Sequence, residues 1–350
     1  MASTTTSPSS PEFLPYAHGA PAAHGAIKCR AEDFVVEETL GFEPTGSGEH
    51  AFLRIQKRGE NTDFLARQIA RFVGVPRQAV SYAGLKDRHG VTVQWFSVHL
   101  PGRAGPDWTG LNSESVTVLE TTRNERKLKN GALKGNRFRL TIRDLQGEPA
   151  ELEARLAAIA ADGVPNYFGP QRFGRDGGNL DRALAWFRGE SVPHDRHLRG
   201  IYLSAARSLL FNAVLARRVN AATWNQAIPG DVFMFPDSHS FFSAELDART
   251  LQRIADCAIH PSGPLWGKGE NPAGEQALRI EQAVAGQYRE FAAGLEAEGM
   301  EIARRPLRLM ASDLRSSLAD DVLELGFELP AGAYATTVLR EVVRFSGDPD

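Results

Sequence analysis

The order in which hydrophobic periodicities follow one another most limits what this chain can fold into. Up to about residue 143 apolar residues recur mainly with period two, from about 150 to 298 the spacing is mostly helical, and period two returns at Val322 to Leu329. A β-rich, α-rich, β-rich order predicts an α/β (α+β) domain with a mixed sheet, interrupted by a mostly helical insertion. The 350 residues are enough for two cores.

Within the first stretch, Phe52-Leu53-Arg54-Ile55 alternates like a strand. Asn61 or Thr62 is placed to cap a helix reaching about Phe72, with Phe64, Leu65, Gln68, Ile69 and Phe72 at helical spacing and Gly74-Val75-Pro76 ending it. Those apolar residues are expected in the core. Val91 to Leu100, Ser115 to Thr121 and Asn136 to Arg143 read as strands. In the third, alternation puts Phe138, Leu140 and Ile142 on one face and Arg137, Arg139, Thr141 and Arg143 on the other. Phe138 is then either core or a platform, and the basic face either solvated or turned toward phosphates. Helices are expected at 150–161, 179–187, 204–219, 244–258 and 275–298, with a small hairpin from Phe233-Met234-Phe235 to Ser240-Phe241-Phe242 and a last helix from Tyr334 to Arg344.

Net charge is −3, but its distribution matters more for a polyanionic partner than its sum. From Thr121 to Arg143 eight bases, Arg123, Arg126, Lys127, Lys129, Lys134, Arg137, Arg139 and Arg143, face the lone acid Glu125. Cys29 and Cys257 stand far apart, and no His-Glu-x-x-His spacing occurs, so neither a disulfide framework nor a metal centre is expected. Gly46-Ser47-Gly48 and Gly177-Gly178-Asn179 lack the spacing of phosphate loops. No cofactor and no protein partner is implied. No apolar run approaches the roughly 20 residues of a membrane helix. Residues 1–12 read as a disordered tail instead of a signal peptide, so a cytoplasmic protein is expected.

The stretch with most chemistry is Ser81 to Gly90, where Lys86, Asp87, Arg88 and His89 stand just ahead of a strand. An Asp close to a Gly is common in tight turns, bonding its own backbone. Alternatively, flanking bases keep a carboxylate ionised, fit to act as a nucleophile or general base.

Tyr82-Ala83-Gly84-Leu85-Lys86-Asp87-Arg88-His89-Gly90, continuing through Val91 to Ser97, resembles the signature of the TruD family of tRNA pseudouridine synthases. Four further blocks match in order: Lys28 to Glu37, Gly131 to Phe138, Val164 to Gly174 and Leu329 to Thr336. The resemblance implies a catalytic pseudouridine-synthase domain of residues 13–162 plus 310–350, an inserted domain of residues 163–309, and RNA held in a cleft between them. It implies isomerisation of uridine 13 in the D arm of tRNA, notably tRNA-Glu, on a base flipped out of the RNA. Asp87 would be the catalytic carboxylate, Asn136 would hold it or the nucleotide, and Phe138 would stack on the base. Phe34 and Tyr334 fall at substrate-contacting aromatic positions and Lys28 at a basic position near them; Tyr334 stands where the family pattern has Phe. Lys134, Arg137 and Arg139 would track phosphates. Two rivals are a pseudouridine synthase for another RNA or position, and a non-catalytic RNA-binding module. The latter would have no use for Asp87.

Overall fold

In the computed structural model, which describes residues 14–129, 131–236 and 238–346, the early period-two sequence forms seven strands. They are β1 (His24–Ala26), β2 (Phe34–Leu40), β3 (His50–Arg58), β4 (Val80–Tyr82), β5 (Val91–His99), β6 (Val116–Asn124) and β7 (Leu133–Gln146). The predicted tail at residues 1–12 lies outside the described residues. Helix α1 (Thr62–Val73) joins β3 to β4. Its cap is Asn61, whose side chain accepts from the Asp63 and Phe64 amides at 2.8 and 3.3 Å, and Gly74 ends it with a left-handed φ of 66°.

The buried face of α1 is Leu65, Ala66, Ile69, Ala70 and Val73, packed on Leu53, Ile55, Phe96 and Val98. Phe64 and Phe72, expected in the core, are 45 % and 39 % exposed. Each precedes a buried residue by one position, and one step turns a helix by about 100°. Small alanines at 66 and 70 complete the face that bulk alone would have drawn elsewhere.

Helix α2 (Pro149–Asp162) is followed by β8 (Val164–Pro165), α3 (Gly178–Phe187), α4 (Arg196–Asn220), β9 (Val232–Met234), β10 (Phe241–Ser243), α5 (Ala248–Ala255), β11 (His260–Leu265), α6 (Glu275–Gln287), α7 (Arg289–Ala297), β12 (Ala303–Pro306) and β13 (Arg308–Leu309). Helix α4 starts earlier than expected because Asp195 caps it, accepting from the His197 amide at 2.7 Å. The helix expected over 275–298 is two, parted at Tyr288, whose φ and ψ are −108° and 41°. The predicted hairpin is β9 and β10, but it belongs to a four-stranded sheet ordered β10-β9-β11-β12. Strand β11 reads His-Pro-Ser-Gly-Pro-Leu, and its prolines and glycine hide it from a propensity reading. Leu209, Leu210, Phe211, Val214 and Leu215 of α4 pack with Tyr167, Phe168 and Leu307.

The chain then returns through β14 (Ser312–Ala319), β15 (Val322–Pro330), α8 (Ala335–Val342) and β16 (Arg344–Ser346). Strand β14 was not expected from the sequence, since Ser-Asp-Leu-Arg-Ser-Ser-Leu-Ala carries little apolar signal. The ten-stranded sheet runs β14-β15-β7-β2-β5-β3-β6, with β4 paired to β5 and β1 paired to both β7 and β16. It is mixed, β2–β5 and β1–β16 being parallel and the other pairs antiparallel. This sheet and α1 form one compact unit, Ala22–Leu156 and Ala311–Gly332 with the described residues from Val342. Ala157–Met310, Ala333–Glu341 and the described residues before Ala22 form the other. Residues 333–341 thus pack with the helical unit, a grouping that differs from the expected division.

Gly90 shows how closely the sheet approaches the loop before β5. A Cβ built there would lie 2.5 Å from the Phe34 carbonyl oxygen on β2. Backbone cannot yield as a side-chain tip can, so Gly90→Ala is expected to cost about 1–3 kcal/mol. Urea denaturation of the variant beside the parent checks this, and an unchanged midpoint would contradict it.

Candidate active site

Strand β5 has β3 along one side and two successive neighbours on the other. Val91 to Val93 pair with β2, while Phe96 to Val98 pair with β4. Where the two partners change over, the Trp95 amide donates to the Glu38 side chain at 2.9 Å. A carboxylate therefore satisfies a ladder donor that backbone would otherwise serve. The loop carrying Asp87 links β4 to β5 beside this opening.

Buried polar groups pin that loop. Gln94 donates to the Gly84 carbonyl at 2.6 Å, and the Lys86 amide to the Thr62 hydroxyl at 3.1 Å. Lys86 forms a 2.8 Å ion pair with Glu38, whose carboxyl burial pushes up, opposed by Lys86 and the Trp95 amide. Lys57 is 1 % exposed and donates to the carbonyls of Glu60 at 2.8 Å and Asp87 at 3.1 Å. Burial pushes its ammonium down to about 8, against the pull of Asp87. Sequence reasoning missed Glu38, Lys57, Thr62 and Gln94. A lysine inside an alternating strand looks like an outward polar residue, and nothing local distinguishes it.

Asp87 itself is half-buried. One carboxylate oxygen accepts from the Lys28 ammonium at 2.5 Å, and the other from the His89 amide at 2.8 Å. Burial pushes the Asp87 carboxyl up, but the Lys28 hydrogen bond and the His89 amide outweigh it and hold it below the usual carboxylate range. Lys28 has a left-handed φ of 55°, uncommon for a residue with a side chain. Its ammonium also stands 4.6 Å from the centroid of the Phe34 ring. Here the two sequence readings of Asp87 coexist, because the Asp–His89 bond is a turn bond made by an ionised carboxylate.

Phe34 meets Phe138 edge to face at 6.4 Å between centroids, and Phe138 stacks on Phe327 at 5.5 Å. Antiparallel register sets these neighbours, with Val36 and Phe327 opposite Phe138, and Glu38 and Leu329 opposite Asn136. The Asn136 side-chain oxygen is buried without a hydrogen-bond partner among the described residues. An unmet buried acceptor costs about 1–3 kcal/mol, so a donor arriving with a ligand would be favoured.

Lys28, Phe34, Asp87, Asn136 and Phe138 all belong to the sheet unit. Lys134 is exposed near the start of β7. Arg137 and Arg139 project to the opposite face of the sheet from Phe138, where they line a groove of about 570 Å³ with Glu37, Arg54 and Arg315. Arg137 is held there by Glu328 at 2.6 Å. Tyr334 lies in the helical unit, where its hydroxyl accepts from Arg172 at 2.6 Å. The extra hydroxyl of Tyr334 therefore has a partner within its own unit. Among the described residues no group of three His, Cys, Asp or Glu side chains could hold a metal ion.

The ionised Asp87 carboxylate, beside the place where the mixed sheet changes partners, with aromatic rings and an unmet amide oxygen on the neighbouring strands, makes this the candidate active site of the sheet unit. The family model "tRNA pseudouridine synthase D (TruD)" matches residues 12–182 and 190–342. A tRNA pseudouridine synthase D of Methylococcus capsulatus is 54 % identical over 352 residues, covering 99 % of each chain. That of Nitrosococcus oceani is 52 % identical over 337 residues, covering 95 % of this chain and 94 % of its own. A crystal structure from Methanosarcina mazei, described as a tRNA pseudouridine synthase D, superposes with a TM-score of 0.73 at 23 % identity, covering 97 % of this chain and 99 % of that one. The chain belongs to the TruD family of tRNA pseudouridine synthases.

Phe138 is 6 % exposed between Phe34 and Phe327, so in this structure it is a core side chain. Phe138→Ala is expected to lose about 3–5 kcal/mol of stability in urea denaturation. A loss below about 1 kcal/mol would mean that the ring serves a ligand and not the core.

Proposed function

We propose that this enzyme converts uridine 13 in the D arm of tRNA, tRNA-Glu among its substrates, to pseudouridine, with Asp87 as the catalytic carboxylate. The observation that carries the reading is the ionised, two-point-held Asp87 carboxylate beside Phe34 and Lys28. Support for the substrate comes from the relatives, which are named as tRNA pseudouridine synthases. On this reading the sheet unit performs the chemistry in the cytoplasm and the helical unit is the inserted domain.

Pseudouridine formation breaks the bond from uracil N1 to the sugar C1′, turns the base, and joins C5 to C1′. The C5 proton is then lost and N1 gains one, so atoms balance without an oxidant or reductant. A carboxylate serves at the electron-poor sugar carbon, as in retaining glycosidases, and can take a proton from C2′ or C5. Either role needs negative charge, which Lys28 and the His89 amide maintain. The base must leave its stack to reach this group. Asn136 offers its unpaired oxygen to the uracil N3–H, and Phe34, whose ring lies under the Lys28 ammonium, supplies the aromatic wall with Phe138 packed behind it. Lys134, exposed two positions before Asn136, is placed for a phosphate of the same strand. Arg137 and Arg139 would meet a different part of the RNA, on the other face of the sheet.

Asp87→Asn tests the central assignment. The amide keeps the shape and the turn bond, so the variant should fold and bind tRNA while uridine conversion is abolished under single-turnover conditions. Conversion within about tenfold of the parent, a loss under about 1.4 kcal/mol, would remove Asp87 from the chemistry.

Lys28→Met tests how the charge is kept. With a lowered folded pKa, Asp87 is ionised over nearly the whole working range and loses its charge only as pH falls through that value. Without Lys28 the push of burial is no longer outweighed, so the acid limb of the single-turnover pH–rate profile should move up. Parent and variant limbs that coincide would show that Lys28 does not set the ionisation.

A further inference from the structure

Resting on the reading of tRNA as substrate, we propose that Arg77, Lys127 and Lys129 form a phosphate-binding shelf for the RNA strand that runs past the catalytic loop. Nothing about Asp87 requires these residues; the fold brings them together independently. Strand β4 pairs only with β5 among the described residues, which leaves its other edge open. The segment after β6 returns along it, tied by the Gly131 amide to the Ala83 carbonyl at 3.3 Å. Ala83 lies in the run that leads straight to Asp87.

Leu128 anchors this returning segment. It is 1 % exposed, packs with Phe52, Ala83 and Trp95, and its amide donates to the Ser97 hydroxyl at 3.0 Å. With Leu128 turned inward, its neighbours Lys127 and Lys129 are both exposed. Arg77 completes the arrangement from the other side. Its guanidinium donates to the Val80 carbonyl at 2.7 Å, pairs with Asp63 at 2.6 Å, and stands 5.4 Å from the centroid of the Tyr82 ring.

The resulting open pocket, of about 450 Å³, is lined by these three bases with Val80, Ser81, Tyr82 and Leu128, and by no acid. Asp63 offsets part of the Arg77 charge, so the two lysines carry most of what a ligand meets. Exposed ammonium groups are point charges suited to phosphate and indifferent to base identity. A phosphodiester strand fits better than an isolated anion, because the shelf continues into the loop that must receive the nucleotide.

The test is the salt dependence of tRNA binding by the Lys127→Ala/Lys129→Ala double variant, measured with unmodified tRNA from low to moderate salt. Two lost phosphate contacts should flatten the log–log slope by roughly 1.4 to 1.8, by a similar amount for tRNAs of different sequence. The enzyme concentration giving half-maximal single-turnover rate should rise in parallel. Lys127→Arg/Lys129→Arg, which keeps both charges, should restore slope and concentration together, and a thermal melt should show all three proteins equally folded. A slope unchanged in the alanine variant, or lowered and not restored by the arginine pair, overturns the shelf. A parent protein that neither binds nor converts tRNA would instead overturn the functional reading beneath it.

Discussion

Charge that cannot return to water is the constraint on which the loop carrying Asp87 depends. Lys28, Lys57, Lys86 and Glu38 have side chains almost wholly withdrawn from solvent around Asp87. A buried ion without a partner is too costly to keep, so each position is fixed by where its partner lies. Lys28 goes to Asp87, Lys86 to Glu38, and Lys57 to two backbone carbonyls. The loop before β5 is thus shaped by charge pairing as much as by strand ladders. Removing one partner leaves another charge stranded, which couples residues far apart in sequence.

Alternation made strand β7 legible, because a half-buried antiparallel strand must turn every second side chain inward. The chain order of strands, helices and strands was legible from the change in hydrophobic period. What escaped the sequence were features that residue type does not signal. Strand β11 is held in its sheet through partners on both sides despite two prolines, and α1 buries alanines while exposing Phe64 and Phe72. At the candidate site, Asp87, Phe34, Asn136 and Phe138 stood out by resemblance, and Asp87 also by its charged setting. Lys57 and Gln94 did not, since their importance lies in carbonyls that only the folded chain brings within reach.

Strict alternation also separates two groups that sequence proximity had joined. Arg137 and Arg139 flank Phe138 along the chain, yet the pleat sends them through the sheet to a groove where acids and bases are interleaved. Arg137 spends its charge on Glu328. The bases after β6 are different in kind, because Leu128 is the inward residue between them and no acid lines their pocket. Arg137 and the two lysines, close together in one basic run, thus meet different surroundings, and only geometry tells them apart.

The distribution of donors around Asp87 bears on the proposed chemistry. A carboxylate has about four lone-pair sites, and here one is taken by Lys28 and one by the His89 amide. Two donors are enough to keep it ionised against burial. More would stabilise the anion further and weaken it as a nucleophile or base. Lys57 donates not to the carboxylate but to the Asp87 backbone carbonyl, at 3.1 Å. It fixes the position of the residue while leaving the carboxylate its remaining lone pairs. Separate groups thus govern charge and placement at Asp87, and a site built this way can hold its acid rigidly without exhausting its reactivity.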